Sequence, residues 1–193
     1  IKRMPKDTGF SLSKEEQQML LSIARNTIKE YLNSEKILKI DTSSLLPGLK
    51  QLAGAFVTLR INGSLRGCIG RFEFDKPLFH IVQEMSVAAS VSDYRFSPLE
   101  PEELESTELE ISVLTPLKKI HSMSEIHLGR DGIYIKKGNH AGTFLPSVAT
   151  DTKWSLEEFL GHCSRDKAGI GWDGWKDRDT EIFIYQAFSF GED

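Results

Sequence analysis

Along residues 13–33 the apolar positions Met19, Leu20, Ile23, Ala24, Ile28, Tyr31 and Leu32 recur at helical spacing, and Ser13 with Glu16 forms a capping box ahead of them. A helix is predicted there, with core packing as its role. Residues 34–52, with Leu45, Leu46 and Leu49 around Pro47-Gly48, read as a connection that packs a few leucines. At residues 53–61 the period changes to two: Ala55, Val57, Leu59 and Ile61 alternate with Phe56, Thr58 and Arg60, as in a half-buried strand.

Asn62-Gly63 then turns the chain into a hairpin, and the register decides where the following residues face. A two-residue loop would pair Leu59 with Arg66 and Val57 with Cys68, putting a charge into the apolar row. A three-residue loop over residues 61–63, with Gly63 left-handed, pairs Leu59 with Leu65, Val57 with Gly67 and Ala55 with Ile69, and keeps one face apolar. That register is expected, and it sets Arg66 and Cys68 together on the other face, opposite Thr58 and Phe56.

Pro77 opens a second predicted helix, to residue 92, whose small residues Ser86, Ala88, Ala89 and Ser90 would let another element approach closely. Residues 93–98 leave it as a loop, residues 101–104 make one turn, and residues 107–115 alternate as a half-exposed strand ended by Pro116. Residues 118–129 read as irregular. Residues 132–136 and 141–145 form a hairpin around Lys137-Gly138-Asn139, closed by Pro146. Ser155 with Glu158 caps a third helix, with Leu156, Phe159, Leu160 and Cys163 on its packed face. A Gly/Trp loop at residues 169–175 precedes a final strand at residues 181–190. Strands from both halves, mixed with helices without strict alternation, predict an α+β fold. The division expected is an N-terminal extension at residues 1–12, with Met4 as the start of the natural chain, and a single domain at residues 13–190.

Composition adds exclusions. Of 193 residues, 39% are hydrophobic and 27% charged, as in globular proteins, and the net charge of -4 with scattered basic residues argues against nucleic acid or an anionic membrane as partner. No apolar run is long enough to span a membrane, and the first ten residues lack a signal-peptide core. The cytoplasm is expected, with the two cysteines reduced. No Cys-x-x-Cys and no histidine pair at helix-face spacing occurs, so no metal site is expected and no cofactor is assigned.

The densest chemistry is Leu65-Arg66-Gly67-Cys68-Ile69-Gly70. A thiol reacts as the thiolate, which a neighbouring cation favours, so Arg66 makes Cys68 a candidate nucleophile or thiol carrier. Gly67 and Gly70 remove side chains beside it and open it to a substrate or to another backbone. Spacing alone slightly favours Cys68 as a small buried filler, and for Cys163, on the packed face of its helix, it does so clearly. A cysteine nucleophile usually needs a base; the candidates are His80, His121, His127, His140 and His162, of which His140 stands out in its Gly-rich turn, where a solvated turn histidine is the commoner explanation. Asp93 and Arg95 either clamp an anionic group or form a local ion pair that fixes their loop.

The six-residue stretch resembles the signature of the AMMECR domain family. The resemblance continues in Asp93-x-Arg95-Phe96-x-Pro98, in the strand at residues 108–114, in Gly142-Thr143-Phe144-Leu145-Pro146, in Trp154 with Glu158-Phe159-Leu160, and in Lys167-Ala168-Gly169, spanning about residues 13–190. It implies an α+β fold with an antiparallel sheet flanked by helices and two unequal lobes, the larger built from both chain ends, with the signature near a cleft between them. Microbial members resemble the A component of the AmmeMemoRadiSam system, which implies a Memo-type or radical S-adenosylmethionine protein as a partner. The family carries no firm reaction. Ser147 stands where the family often has Gln, and His140 is not a fixed position of the pattern. Two expectations follow: an enzyme or enzyme component that binds a small polar or anionic ligand through Arg66, Gly67, Gly70, Asp93 and Arg95 with Cys68 as the reactive thiol, or a non-enzymatic adaptor for a protein partner.

Overall fold

A computed structural model describes residues 11–192. The reading of Met4 as the chain start, and most of the extension at residues 1–12, lie outside the described residues. The chain divides into two units, one holding residues 11–114 and 188–192, the other Thr115–Ala187.

In the first unit, helix α1 (Lys14–Ser34) starts at the reciprocal Ser13/Glu16 capping box and ends at Glu35, which adopts left-handed φ. Strands β1 (Gly54–Ile61) and β2 (Ser64–Arg71) form the hairpin, helix α2 (Leu78–Val91) follows, and strand β3 (Thr107–Leu114) pairs antiparallel with β1. Strand β8 (Ala187–Gly191) returns to complete a four-stranded sheet in the order β2-β1-β3-β8. One face of this sheet, with Ala55, Val57, Leu59, Leu109, Ile111 and Val113, shares a core with Leu20, Ala24 and Ile28 of α1 and Leu78, Ile81 and Val82 of α2. The small residues of α2 serve as the sequence suggested: a Cβ at Gly67 would overlap the carbonyl oxygen of Ala89, so only glycine lets helix and strand meet there.

The hairpin register differs from the expected one. Ile61 pairs with Ser64 and Arg60 with Leu65 around a two-residue turn in which Asn62 (φ 50°) and Gly63 (φ 76°) are both left-handed. The register then shifts beside Leu59, which pairs with Gly67, while Val57 pairs with Ile69 and Thr58 with Cys68. Arg66 is the extra residue of a β-bulge. The bulge reconciles two demands that an unbroken ladder cannot: the Asn-Gly turn keeps its preferred two residues, and Ile69 joins the apolar row without Arg66 entering it. Cys68 still falls on the face of Thr58 and Phe56.

The second unit is built on strands β4 (Lys118–Ile120), β5 (Gly132–Lys137), β6 (His140–Phe144) and β7 (Glu181–Tyr185). They form a four-stranded antiparallel sheet in the order β4-β7-β5-β6. Helices α3 (Pro146–Thr152) and α4 (Leu156–His162) complete it, the second starting at the Ser155/Glu158 capping box and running into a π turn at Cys163–Lys167. Its own core joins Ile133, Ile135, Phe144, Phe159, Leu160, Cys163, Ile182 and Ile184.

Three expectations are corrected here. Pro146 opens α3 instead of only closing a strand, because proline's fixed φ suits a first helical turn. Residues 118–129 contain β4. The single final strand is two, β7 and β8, broken at Gln186 and belonging to different sheets.

Candidate functional site

Strand β2 lies at the edge of its sheet, and in the antiparallel ladder the backbone of Cys68 is free to bond outward instead of to Thr58. Asp93, just beyond the C-terminus of α2, fills that position. Its Oδ2 accepts the Cys68 N–H at 3.0 Å. Arg95 donates from Nε to Asp93 Oδ1 at 2.9 Å and from Nη2 to Asp93 Oδ2 at 2.7 Å, and Nη2 also reaches the Cys68 carbonyl oxygen at 3.3 Å. Asp93 and Arg95 together supply the acceptor and donor that a neighbouring strand would have supplied. The Asp93 carboxyl, 4% exposed, is held at about 2 by the Arg95 guanidinium first, with the backbone amides of Cys68 and Arg95 adding to it against the cost of burial.

Because Thr58 and Cys68 form a pair without hydrogen bonds between their backbones, their side chains come close. Thr58 Oγ1 and Cys68 Sγ are 3.1 Å apart. Burial pushes the Cys68 thiol up from its ordinary pKa, the Thr58 hydrogen bond and the charge of Arg95 pull it down, and the charges of Asp93 and Glu110 push it up. The net direction is upward, so Cys68 is a protonated thiol at neutral pH.

Arg66 is not the cation that acts on this thiol. The bulge sends its guanidinium the other way, where Nε and Nη2 grip Glu103 at 3.0 and 2.9 Å and Nη1 and Nη2 reach the carbonyls of Ser97 and Pro98 at 2.9 and 3.3 Å. Arg66 thereby ties the loop that carries Arg95 to the turn at Pro101–Ser106. Arg95 takes the electrostatic part expected of Arg66. Gly70 faces Phe56, whose ring a Cβ there would overlap, so both glycines of the motif accommodate this protein's own groups.

His140 lies in the second unit, exposed at the start of β6 opposite Lys137, whereas Cys68, Arg66, Gly67, Gly70, Asp93 and Arg95 gather in the first. Cys163 is wholly buried, and burial pushes its thiol up to about 12. Among the described residues no group of three or more His, Cys, Asp or Glu is placed to hold a metal ion, and no helix is long and apolar enough to cross a membrane.

Cavities lie away from Cys68. One of about 360 Å³ runs between α1 and the turn at Pro101–Ser106, but Arg25 on its wall is committed to Glu192 and to the carbonyls of Leu104 and Thr107. Its volume suits a ligand better than its chemistry does, and Cys68 remains the stronger candidate.

Sequence reasoning missed Glu103 and Glu110. Glu110 stands opposite Thr58 on β3, so Cys68, Thr58 and Glu110 form one row across three strands. The alternation of Glu108, Glu110 and Ser112 placed Glu110 on the non-core face, and only the register aligned it with Cys68.

Two antiparallel sheets flanked by helices, with a Cys-bearing edge strand sealed by an Asp-x-Arg pair, define a distinct class of α+β protein. The AMMECR1 family model matches residues 21–190, and the chain belongs to that family. A protein of Methanothermobacter thermautotrophicus is 40% identical, over 94% of this chain and 97% of that one. Protein MK0488 of Methanopyrus kandleri is 38% identical, over 96% and 92%. The crystal structure of the uncharacterized protein PH0010 from Pyrococcus horikoshii superposes with a TM-score of 0.89 at 34% identity, covering 95% of each chain. The expected family and the α+β fold with antiparallel sheets are thus established.

Proposed function

We propose that this protein is an enzyme, or a component of one, that binds a small polar ligand with an anionic group beside Cys68 and uses the Cys68 thiol as nucleophile or carrier. The observation that carries this is the fixed cation at the thiol. Asp93 holds Arg95 against the Cys68 backbone through Nε and Nη2, which leaves Nη1 without a partner among the described residues, on a side chain 31% exposed. A guanidinium oriented by one carboxylate and open on its remaining edge is suited to receive another anion. In this reading Arg95 touches the ligand, Asp93 orients Arg95, and Arg66, Gly67 and Gly70 shape the strand and loop that present them. The resting thiol is protonated, so in this reading its proton leaves as the bond to the ligand forms.

The test is alkylation of the native protein by iodoacetate and by neutral iodoacetamide, with Cys68 and Cys163 quantified separately by peptide mass mapping. Arg95→Gln is expected to lower the iodoacetate-to-iodoacetamide rate ratio at Cys68 about threefold, as removal of one partly screened charge would. A ratio indifferent to Arg95, or a Cys68 that neither reagent reaches before unfolding, sinks the proposal.

A further inference from the structure

The Thr58 hydroxyl lies 3.1 Å from the Cys68 sulfur, and by distance alone either atom could be the donor. The surroundings decide between them. Thr58 is 3% exposed, and among the described residues its hydroxyl bonds to the sulfur and to no other group. If the thiol donated, the Thr58 hydrogen would be buried without an acceptor, and a hydroxyl is costly to strand in that way. Cys68 loses far less by keeping its hydrogen free, because it is partly exposed and S–H is a weak donor. The cross-strand pairing of Thr58 with Cys68 holds the two side chains together, so the direction of the bond is a lasting property of the sheet.

We infer that Thr58 donates its hydrogen bond to Sγ and is a catalytic residue of the Cys68 site, the donor that holds the sulfur as it becomes a thiolate. This goes beyond the proposed role of Cys68 and rests on it. The thiol hydrogen points away from Thr58. On ionisation the S–H bond breaks, its electron pair stays on sulfur and the proton passes to water, while the Thr58 O–H is already aimed at the charge that forms. Such a donor needs no reorganisation, and it bonds more strongly to the anion than to the neutral thiol. Thr58 and Arg95 divide the task. The guanidinium is bonded to Asp93 and to the Cys68 carbonyl oxygen, so it acts on the sulfur through its charge, whereas Thr58 acts through a bond. Burial is the larger influence on the thiol, and Thr58 is the first of the groups that oppose it.

The experiment has two arms, both on the native full chain. Subtracting the infrared spectrum of Cys68→Ser isolates the S–H stretch of Cys68. That band is expected at the same frequency in the wild type and in Thr58→Val, because the thiol hydrogen is not spent on Thr58. A band that moves to higher frequency in Thr58→Val shows that the thiol was the donor and overturns the inference. The second arm follows alkylation of Cys68 by iodoacetamide against pH in Thr58→Val and Thr58→Ala, which remove the donor, and in Thr58→Ser, which keeps it. The midpoint is expected to rise by about half to one pH unit in the first two, so that the rate at pH 7 falls about threefold to tenfold while the high-pH plateau is retained. Thr58→Ser is expected to stay near the wild type. The charged groups around the sulfur, Asp93 and Arg95 after α2 and Glu110 on β3, are the same in every variant, so the midpoint reports the hydroxyl. A purely structural Thr58 would lower the melting temperature and leave the midpoint in place. An unmoved midpoint in Thr58→Val and Thr58→Ala, or an equal rise in Thr58→Ser, overturns the role of Thr58 while Cys68 and Arg95 stand, provided the iodoacetate-to-iodoacetamide ratio still depends on Arg95. A Cys68 that iodoacetamide does not reach in the native protein overturns both.

Discussion

Asp93 accepts the backbone amide of Cys68 at 3.0 Å, bringing together residues 25 apart in sequence, and this bond fixes the thiol through its main chain. The side chain is left to Thr58, and the charge that acts on it comes from Arg95, which Asp93 itself positions. The edge of β2 is sealed at the one residue whose chemistry stands out, so the stability of the strand edge and the setting of the thiol depend on the same carboxylate.

Asp93 therefore makes stability depend on pH at the acid end. Its folded pKa of about 2 lies below the unfolded value, so the stabilisation is fully present above about pH 4 and is lost as the pH falls toward 2. The size is on the order of 2 kcal/mol. Urea denaturation of the wild type and Asp93→Asn should show a gap of about that size at pH 7 that narrows steadily between pH 4 and pH 2. A gap that stays constant over this range would show that the carboxylate is not held in its charged form.

The two glycines of the motif should differ in tolerance. At Gly67 a methyl group meets the carbonyl oxygen of Ala89, a backbone atom that moves only with α2, whereas at Gly70 it meets the ring of Phe56, a side chain that can turn. Gly67→Ala is expected to cost about 3 kcal/mol and Gly70→Ala about half that. Equal losses in thermal or urea unfolding would contradict the close approach of helix and strand.

Cys163 supplies the internal control for thiol chemistry. It is wholly buried, with its thiol pushed up to about 12, while Cys68 is partly accessible and raised less far by its surroundings. Alkylation of the native protein at pH 8 should modify Cys68 alone, at a rate still climbing above pH 9, and Cys163 should react only under denaturing conditions. Comparable labelling of both in the native state would show that the second unit opens, and would remove the distinction between them.

How much of this was legible in the sequence depended on the range of the interaction. The capping boxes of α1 and α4 were, because Ser13 with Glu16 and Ser155 with Glu158 are local signals that bond as their spacing requires. The face of Cys68 was legible from alternation, but its pairing was not: the bulge at Arg66 satisfies the turn and the apolar row together, and a regular ladder admits only one of them. Gln186 was invisible as a break because apolar alternation continues from β7 into β8 while the chain changes sheets. The partner of Asp93 is a backbone amide on a distant strand, and a backbone amide carries no residue identity to read. Glu103 as the partner of Arg66 was hidden for the same reason of distance, and with it the fact that Arg66 points away from the thiol.

That last point yields the sharpest contrast between the two arginines. Arg66 binds Glu103 through Nε and Nη2 and two loop carbonyls through Nη1 and Nη2, on a side chain 15% exposed, so Arg66→Ala should destabilise by about 1–2 kcal/mol, less than a fully buried pair because Glu103 is 34% exposed. Arg66→Lys should recover little, since an ammonium cannot reproduce the two-pronged grip. Neither change should move the pH midpoint of Cys68 alkylation, because the charge acting on the thiol is that of Arg95. Arg95→Gln should shift that midpoint upward, since it removes the cation that favours the thiolate and leaves the charge of Asp93 uncompensated beside it. Measuring the alkylation rate against pH in both variants separates the roles. An upward shift in Arg66→Ala with none in Arg95→Gln would return the electrostatic part to Arg66 and undo the assignment of the site.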